Sequence, residues 1–455
     1  MASIGVQSGE LGTDVGPVVG AERVSELDTL RGVAVFGILL MNIATFGLPH
    51  AYTDPTVYGG AEGVDLLAWI ANALFFEGTM RGLFSMLFGA GVILLTSRAE
   101  ARGGGLEVAD IYYRRVIWLA VFGLVHSWVL LWHGEILFWY GLAGLLLFPM
   151  RNLTPRILII VGVFAMSWLF FQSLTSLNEA IEAQAEASEI QLIAAEGQEL
   201  TEEQQEAADN WESIVEEVKS TPQLIGDDIT GMQGNYVSVW RTVAPWIIAM
   251  QSTIFYKGAF FDVFSFMVLG MALLKLGVLT GERSIRFYLV TLVVGYGIGL
   301  TVNAYEASSL IANNFDVISQ RRWGFVAPLY DVGRVPMSLG HVALVMLICK
   351  LGWVRRLTMG LAAVGRMALT NYVMHSVICA FIFYGFGFGL FGQLARSELL
   401  YVVFGIWIFQ LIVSPIWLRH YRFGPLEWLW RSLTYWKRQP LRREPSPPDS
   451  LIRAA

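Results

Sequence analysis

The chain has 455 residues, 55% of them apolar and 15% charged, with a formal net charge of −6 and a mean hydropathy of +0.54. Ordinary soluble domains are about a quarter charged, so this composition excludes disorder, a coiled coil and a water-soluble multidomain enzyme. The acidic balance carries no nucleic-acid signature, and Cys349 and Cys379, both in apolar runs, form neither a disulfide framework nor a thiolate metal site.

The remaining class is an all-α, polytopic integral membrane helical bundle. Residues 1–22 lack the basic and apolar regions of a cleaved signal and read as a disordered cytoplasmic leader. A bilayer core of about 30 Å needs roughly 20 mostly apolar residues per helix. That length finds about ten segments: 33–48, 66–95, 116–131, 136–150 and 157–174 within residues 23–175, then 255–274, 287–303, 332–349, 361–388 and 399–418 within residues 235–418. The second is too long for one straight span and carries Glu77-Gly78 at a break.

Residues 176–234, rich in Glu, Ala and Gln, read as one or two solvated helices with few residues to pack a core, serving as a cap, a docking surface or a lid. Alternate short loops carry the Arg and Lys, as does the tail 419–455, so both termini are expected in the cytoplasm and the acidic insertion outside. Arg321 and Arg322 are the exception to this charge pattern. In the tail, residues 423–431 alternate bulky apolar residues with Arg. They read as an interfacial helix starting near Pro425, the favoured reading, or as a wall of a cytoplasmic pocket for an anionic ligand.

Ionisable residues inside spans are costly and mark function. Asp28 and Arg31 stand at the cytoplasmic edge of span one, with Asn42 beyond mid-depth and His50 just outside. Glu77 and Arg81 are four residues apart on one helical face, where each can neutralise the other. His126 lies past the middle of span three, and the turn Trp132-His133-Gly134-Glu135 puts Glu135 at the outer mouth. Span nine carries Arg366, Asn371 and His375, and span eight carries Asp331 and Arg334 near its outer end. Asn42, Glu77, Arg81, His126, Glu135 and His375, with Asp331 as a further candidate, thus share a depth, as the wall of a polar cavity requires. No metal site is predicted.

Four blocks carry a resemblance: residues 23–32 with Met41-Asn42; residues 83–91; His126 with residues 131–137; and residues 365–372 with the tail 423–431. They resemble the YeiB-like bacterial membrane proteins, also called domain of unknown function 418, which implies a multi-pass protein of the bacterial inner membrane. That family is distantly similar to transmembrane acyltransferases, among them the acyltransferase-3 O-acetylases and the heparan glucosaminide N-acetyltransferase. Those enzymes use a cytoplasmic acyl-CoA to acylate a substrate on the far side, with a first-span Arg-Gly followed by a histidine. Eleven residues after Arg31 this chain has Asn42, which is no general base; His50 stands nearer to where the heparan enzyme places its histidine. His375 replaces a glutamine expected of the family.

The resemblance implies a transmembrane acyltransferase, with acyl-CoA as co-substrate and a glycan or lipid hydroxyl or amine as acceptor. Asp28, Arg31 and Arg366 would hold the donor. His126 or His50 would act as base beside Glu135 or Glu77, and Asn42, Glu77, Arg81, Asn371 and His375 would line the cavity. The alternative is a transporter or channel for a small anion, lipid or proton. A third reading is an accessory subunit docking through its acidic segment. The lipid bilayer is the expected partner, and nucleic acid is not.

Overall fold

The computed structural model describes residues 25–101, 103–325 and 327–443. The predicted leader, residues 1–22, and the last residues of the basic tail lie outside these. The described residues are all-helical, with no strand and one isolated bridge between Tyr421 and Arg442.

In chain order the first helices are α1 (Ser25–Gly47), α2 (Gly63–Phe75), α3 (Thr79–Ala101), α4 (Leu106–Trp128), α5 (Leu137–Gly144) and α6 (Leu147–Met150). The long α7 (Pro155–Ala195), α8 (Glu202–Val218) and α9 (Pro222–Met232) follow. Next come α10 (Tyr236–Gln251), a π-helical turn (Phe255–Ala259), α11 (Phe260–Lys275), α12 (Ile285–Ala312), α13 (Val317–Trp323) and α14 (Tyr330–Leu351). Last are α15 (Arg355–Arg366), α16 (Ala368–Phe383), α17 (Arg396–His420) and α18 (Pro425–Thr434).

All ten predicted segments are helical, but they are not equal. Among the described residues seven helical runs are long and apolar enough to cross a bilayer, and α15 with α16, bent by 82°, makes eight. Of the other two, α4 has the length but carries Glu107, Asp110, Arg114 and Arg115 in its first half. Together α5 and α6 cover residues 137–150, only about 21 Å at 1.5 Å per residue. The outer helices turn large apolar side chains outward, such as Phe164 and Ile160 on α7, Val293 on α12 and Ile408 on α17. Apolar exposure on that scale needs a lipid solvent.

The buried centre is α1, which packs against α3, α15, α16 and α17. A Cβ on Gly32 would come 2.1 Å from the Leu361 carbonyl oxygen, and one on Gly365 would come 1.9 Å from that of Asp28. The two backbones therefore touch, as small residues allow between membrane helices, and Asp28, Arg31 and Arg366 are brought to one place. The bend at Met367 frees the Val364 carbonyl, which accepts from Met367 N at 3.0 Å and from Asn371 Nδ2 at 3.0 Å. This is the internal satisfaction that a broken helix in lipid requires.

The acidic insertion is an extension of a membrane helix, and it has a core after all. Through its 41 residues α7 runs on without interruption, and Leu177, Ala180, Ala183, Ala187 and Ile190, at three- and four-residue spacing, are buried, with α8 packed alongside. The Thr201 side chain and Gln204 form a capping box at the start of α8. Polar contacts strap the insertion to the bundle: ion pairs of Lys219 with Asp54 at 2.5 Å and of Arg321 with Glu217 at 2.6 Å, and a hydrogen bond between His50 Nε2 and Asp228 Oδ2 at 2.7 Å. Arg321, out of place by loop-charge counting, thus sits against an acidic partner, Glu217, and the Ser176 hydroxyl.

Candidate functional site

A cavity of about 260 Å³ opens on the face that carries the start of α1 and the tail. Five arginines, Arg31, Arg98, Arg115, Arg366 and Arg431, line it against two carboxylates, Asp28 and Glu427. All five are partly buried. Arg31 Nη1 donates to Asp28 Oδ1 at 2.7 Å, and the Arg115 guanidinium lies 3.6 Å over the Trp430 ring. Below this rim the wall is apolar and aromatic, with Phe84, Phe88, Leu119, Leu137, Tyr140 and Tyr372 among its residues. On α3 alone the lining runs from Arg98 to Phe84, about 21 Å of helix.

One side of the cavity is built by the tail. Glu427 of α18 accepts from Thr370 N at 3.0 Å and Thr370 Oγ1 at 2.6 Å, so it caps the first turn of α16. Burial pushes the Glu427 carboxyl above its usual range, against those hydrogen bonds. Trp430 Nε1 donates to the Arg115 carbonyl at 2.9 Å, tying α18 to α4. Of the two readings of the tail, the pocket wall describes this arrangement better than the favoured anchor.

Beyond the floor lies a buried polar triplet. On α4, Tyr112, Val116 and Leu119 line the cavity, and the same helical face continues through Gly123 to His126. On α16, Leu369 and Tyr372 line it, and the same face continues to Ser376. His126 Nε2 and Ser376 Oγ lie 2.8 Å apart, and His126 Nδ1 lies 3.6 Å from Glu135 Oε1. Exposure is 1% for His126, 1% for Ser376 and 3% for Glu135. Glu135 is held by the start of α5, accepting from Leu137 N and, at 2.9 Å, from Phe138 N. The Tyr372 ring, which lines the cavity, meets His126 edge-on at 5.2 Å, while the three members of the triplet do not line it.

The single polar cavity expected from common depth is instead several separate groups. Arg81 pairs with Asp262 at 2.9 Å rather than with Glu77, whose carboxylate accepts from Tyr52 at 2.6 Å and Tyr330 at 3.2 Å. The break at Gly78, where φ is +62°, uncouples the helical face that sequence spacing assumed. Arg334 bridges Asp262 and Asp331. His50 is engaged by the insertion, on the side away from the arginine cavity. Asn371 and His375 face α17, where Asn371 Nδ2 donates to Ser414 at 3.1 Å and His375 Nε2 lies 3.0 Å from Gln410 Oε1; neither lines the arginine cavity. Asn42 is partly buried and makes no hydrogen bond to another described side chain.

Sequence reasoning missed Asp262, Ser376, Tyr52 and Tyr330, and counted Arg98 and Arg115 only as topology markers, whereas Arg431 fell within the tail segment read as a possible pocket wall. Asp262 had a signal, a carboxylate inside an apolar span. Ser376 had none, because a serine in a membrane helix commonly bonds its own backbone.

An all-helical bundle with a lipid-facing apolar surface and buried ionic groups defines a polytopic membrane protein. This one belongs to the YeiB-like family. It is 30% identical over 438 residues to "Uncharacterized protein YeiB" of Escherichia coli K12, a match covering 91% of this chain and 96% of that protein. It is 28% identical over 451 residues to "Uncharacterized protein YxaH" of Bacillus subtilis 168, covering 94% and 98%. The family model described as "Protein of unknown function (DUF418)" matches residues 273–437. No solved structure matches the chain.

Proposed function

We propose that the protein is a transmembrane acyltransferase of the bacterial inner membrane, with the arginine-rimmed face and both termini in the cytoplasm. It takes an acyl group from an acyl-CoA-type donor and passes it to a hydroxyl or amine on an extracytoplasmic or lipid-linked acceptor. The observation that carries this reading is the cavity, with five arginines around its mouth and an apolar throat leading toward His126. Guanidinium groups suit a phosphorylated head, and a narrow apolar throat suits an uncharged arm ending in a thioester. Near neutral pH the imidazole is the natural proton acceptor, and Glu135, held by two backbone N–H groups, orients it.

The test uses purified full-length protein in nanodiscs with radiolabelled acetyl-CoA, and membranes to supply the acceptor. Arg31→Ala and Arg115→Ala should each weaken donor retention by about 10- to 100-fold, the worth of a charge-assisted hydrogen bond. His126→Ala should keep retention and lower transfer to membrane lipid or glycan by about 100- to 10,000-fold. Failure of the wild type to retain acetyl-CoA would shift the assignment to transport of a small anion, lipid or proton. Retention of an anionic phospholipid alone would make the cavity a lipid site.

A further inference from the structure

We propose that Ser376 is a covalent nucleophile and that transfer runs in two half-reactions through an ester on its Oγ; this rests on the acyltransferase reading above. The geometry has the order nucleophile, base, orienting carboxylate: Ser376 Oγ is 2.8 Å from His126 Nε2, and Glu135 Oε1 is 3.6 Å from His126 Nδ1. That order is how a serine is activated in unrelated hydrolase folds. His126 Nδ1 is buried with no hydrogen-bond partner, and the Glu135 carboxylate stands 3.6 Å from it, close enough to receive its proton-bearing side once the imidazole is charged. The placement is independent of that geometry. His126 and Ser376 extend the two helical faces that line the arginine cavity, so an arm reaching past the floor is aimed between them. Tyr372 stands one turn before Ser376 on the same face, so its ring is the gate that must swing aside for the acyl carbon to pass.

In the first half-reaction the Ser376 Oγ–carbon bond forms, the carbon–sulfur bond of the thioester breaks, and the hydroxyl proton moves through His126 Nε2 to the leaving thiolate. The products are acyl-Ser376 and free thiol. In the second, the acceptor hydroxyl or amine gives its proton to His126 and attacks the ester carbonyl. The carbon–Oγ bond breaks, and Ser376 recovers the proton. Nothing is oxidised or reduced. Ser376 and His126 are the catalytic residues, and Glu135 is a positioning residue that stabilises the imidazolium.

The decisive experiment omits the acceptor. Full-length protein in nanodiscs is incubated with acetyl-CoA, quenched, digested and read by mass spectrometry, while released thiol is counted. The expected result is one acetyl group on the peptide bearing Ser376 and about one thiol released per protein. Both should fall by about 100-fold or more in Ser376→Ala and His126→Ala. Ser376→Cys keeps a nucleophile at the same place, so it should instead give a thioester that neutral hydroxylamine cleaves, an outcome that a purely structural serine would not produce. If Ser376→Ala does not accumulate folded, the cysteine variant decides the question by carrying or lacking that thioester. Transfer to membrane lipid or glycan by Ser376→Ala at the wild-type rate, with no ester on the wild type, overturns the nucleophile and leaves direct transfer from donor to acceptor standing. No retention of acetyl-CoA by the wild type overturns both.

Discussion

At the scale of single residues, pairing in this bundle is decided by helix breaks as much as by spacing. Asp262 is shared by Arg81 and Arg334, and Glu77 is satisfied by two tyrosine hydroxyls. Asp262→Asn should therefore be the most damaging change in the network, because it strands Arg81 and leaves Arg334 with Asp331 alone; removing a partner from a buried pair costs about 3 to 5 kcal/mol. A double-mutant cycle in thermal unfolding should give about 1 to 3 kcal/mol of coupling between Arg81→Met and Asp262→Asn, and a smaller coupling between Arg81→Met and Glu77→Gln. The reverse ranking would restore the pairing expected from sequence. Gly123 makes a second test. A Cβ there would come 2.3 Å from Phe138 N and 2.6 Å from Glu135 Oε2, so Gly123→Ala should cost about 1 to 3 kcal/mol. It should also displace Glu135 from His126, lowering transfer more than it lowers donor retention. His126 and Glu135 were readable beforehand, since titratable groups are conspicuous in apolar runs. Their partner Ser376 was not, because the meeting of α4 with α16 is a tertiary event with no local signature.

At the scale of elements, α18 shows what periodicity conceals. Alternating bulky residues and arginines describe a membrane-surface helix and a pocket wall equally well, and only the contacts of Glu427 and Trp430 separate the two. Glu427→Ala removes an N-terminal cap from α16, a loss of about 0.5 to 2 kcal/mol, and frees one wall of the cavity. Faster proteolysis after Phe423, together with weaker acetyl-CoA retention, is the expected result. Unchanged retention with a clipped tail would make α18 an anchor and nothing more. The insertion teaches a similar lesson. Its alanines look too small for a core, yet at three- and four-residue spacing they let α8 lie close against α7. Small residues add little hydropathy while permitting close approach, so composition undercounted this packing.

At the scale of the molecule, the all-helical membrane architecture was fully readable from hydropathy, because a bilayer imposes one length on every crossing. The exact number was harder to read, since α5 and α6 are too short to cross alone and α15 bends sharply into α16. Orientation is open to a direct experiment. With single cysteines at Gln204 and Ser446 in an otherwise cysteine-free chain, a membrane-impermeant maleimide added to intact cells should label the first and spare the second. The opposite pattern would invert the protein and put the arginine cavity outside.

The continuity of α7 has a mechanical side. Its 41 residues make a rod about 62 Å long with no proline or glycine hinge in the half beyond the bilayer. Its membrane half leans on α11, the helix that carries Asp262. About 30 Å of the rod projects past residue 175, so a tilt of ten degrees at the membrane would sweep its tip through about 5 Å. A spin label near Ala195 would thus work as an amplified gauge of any rocking of α11, and the Lys219, Arg321 and His50 straps would set the stiffness of that lever.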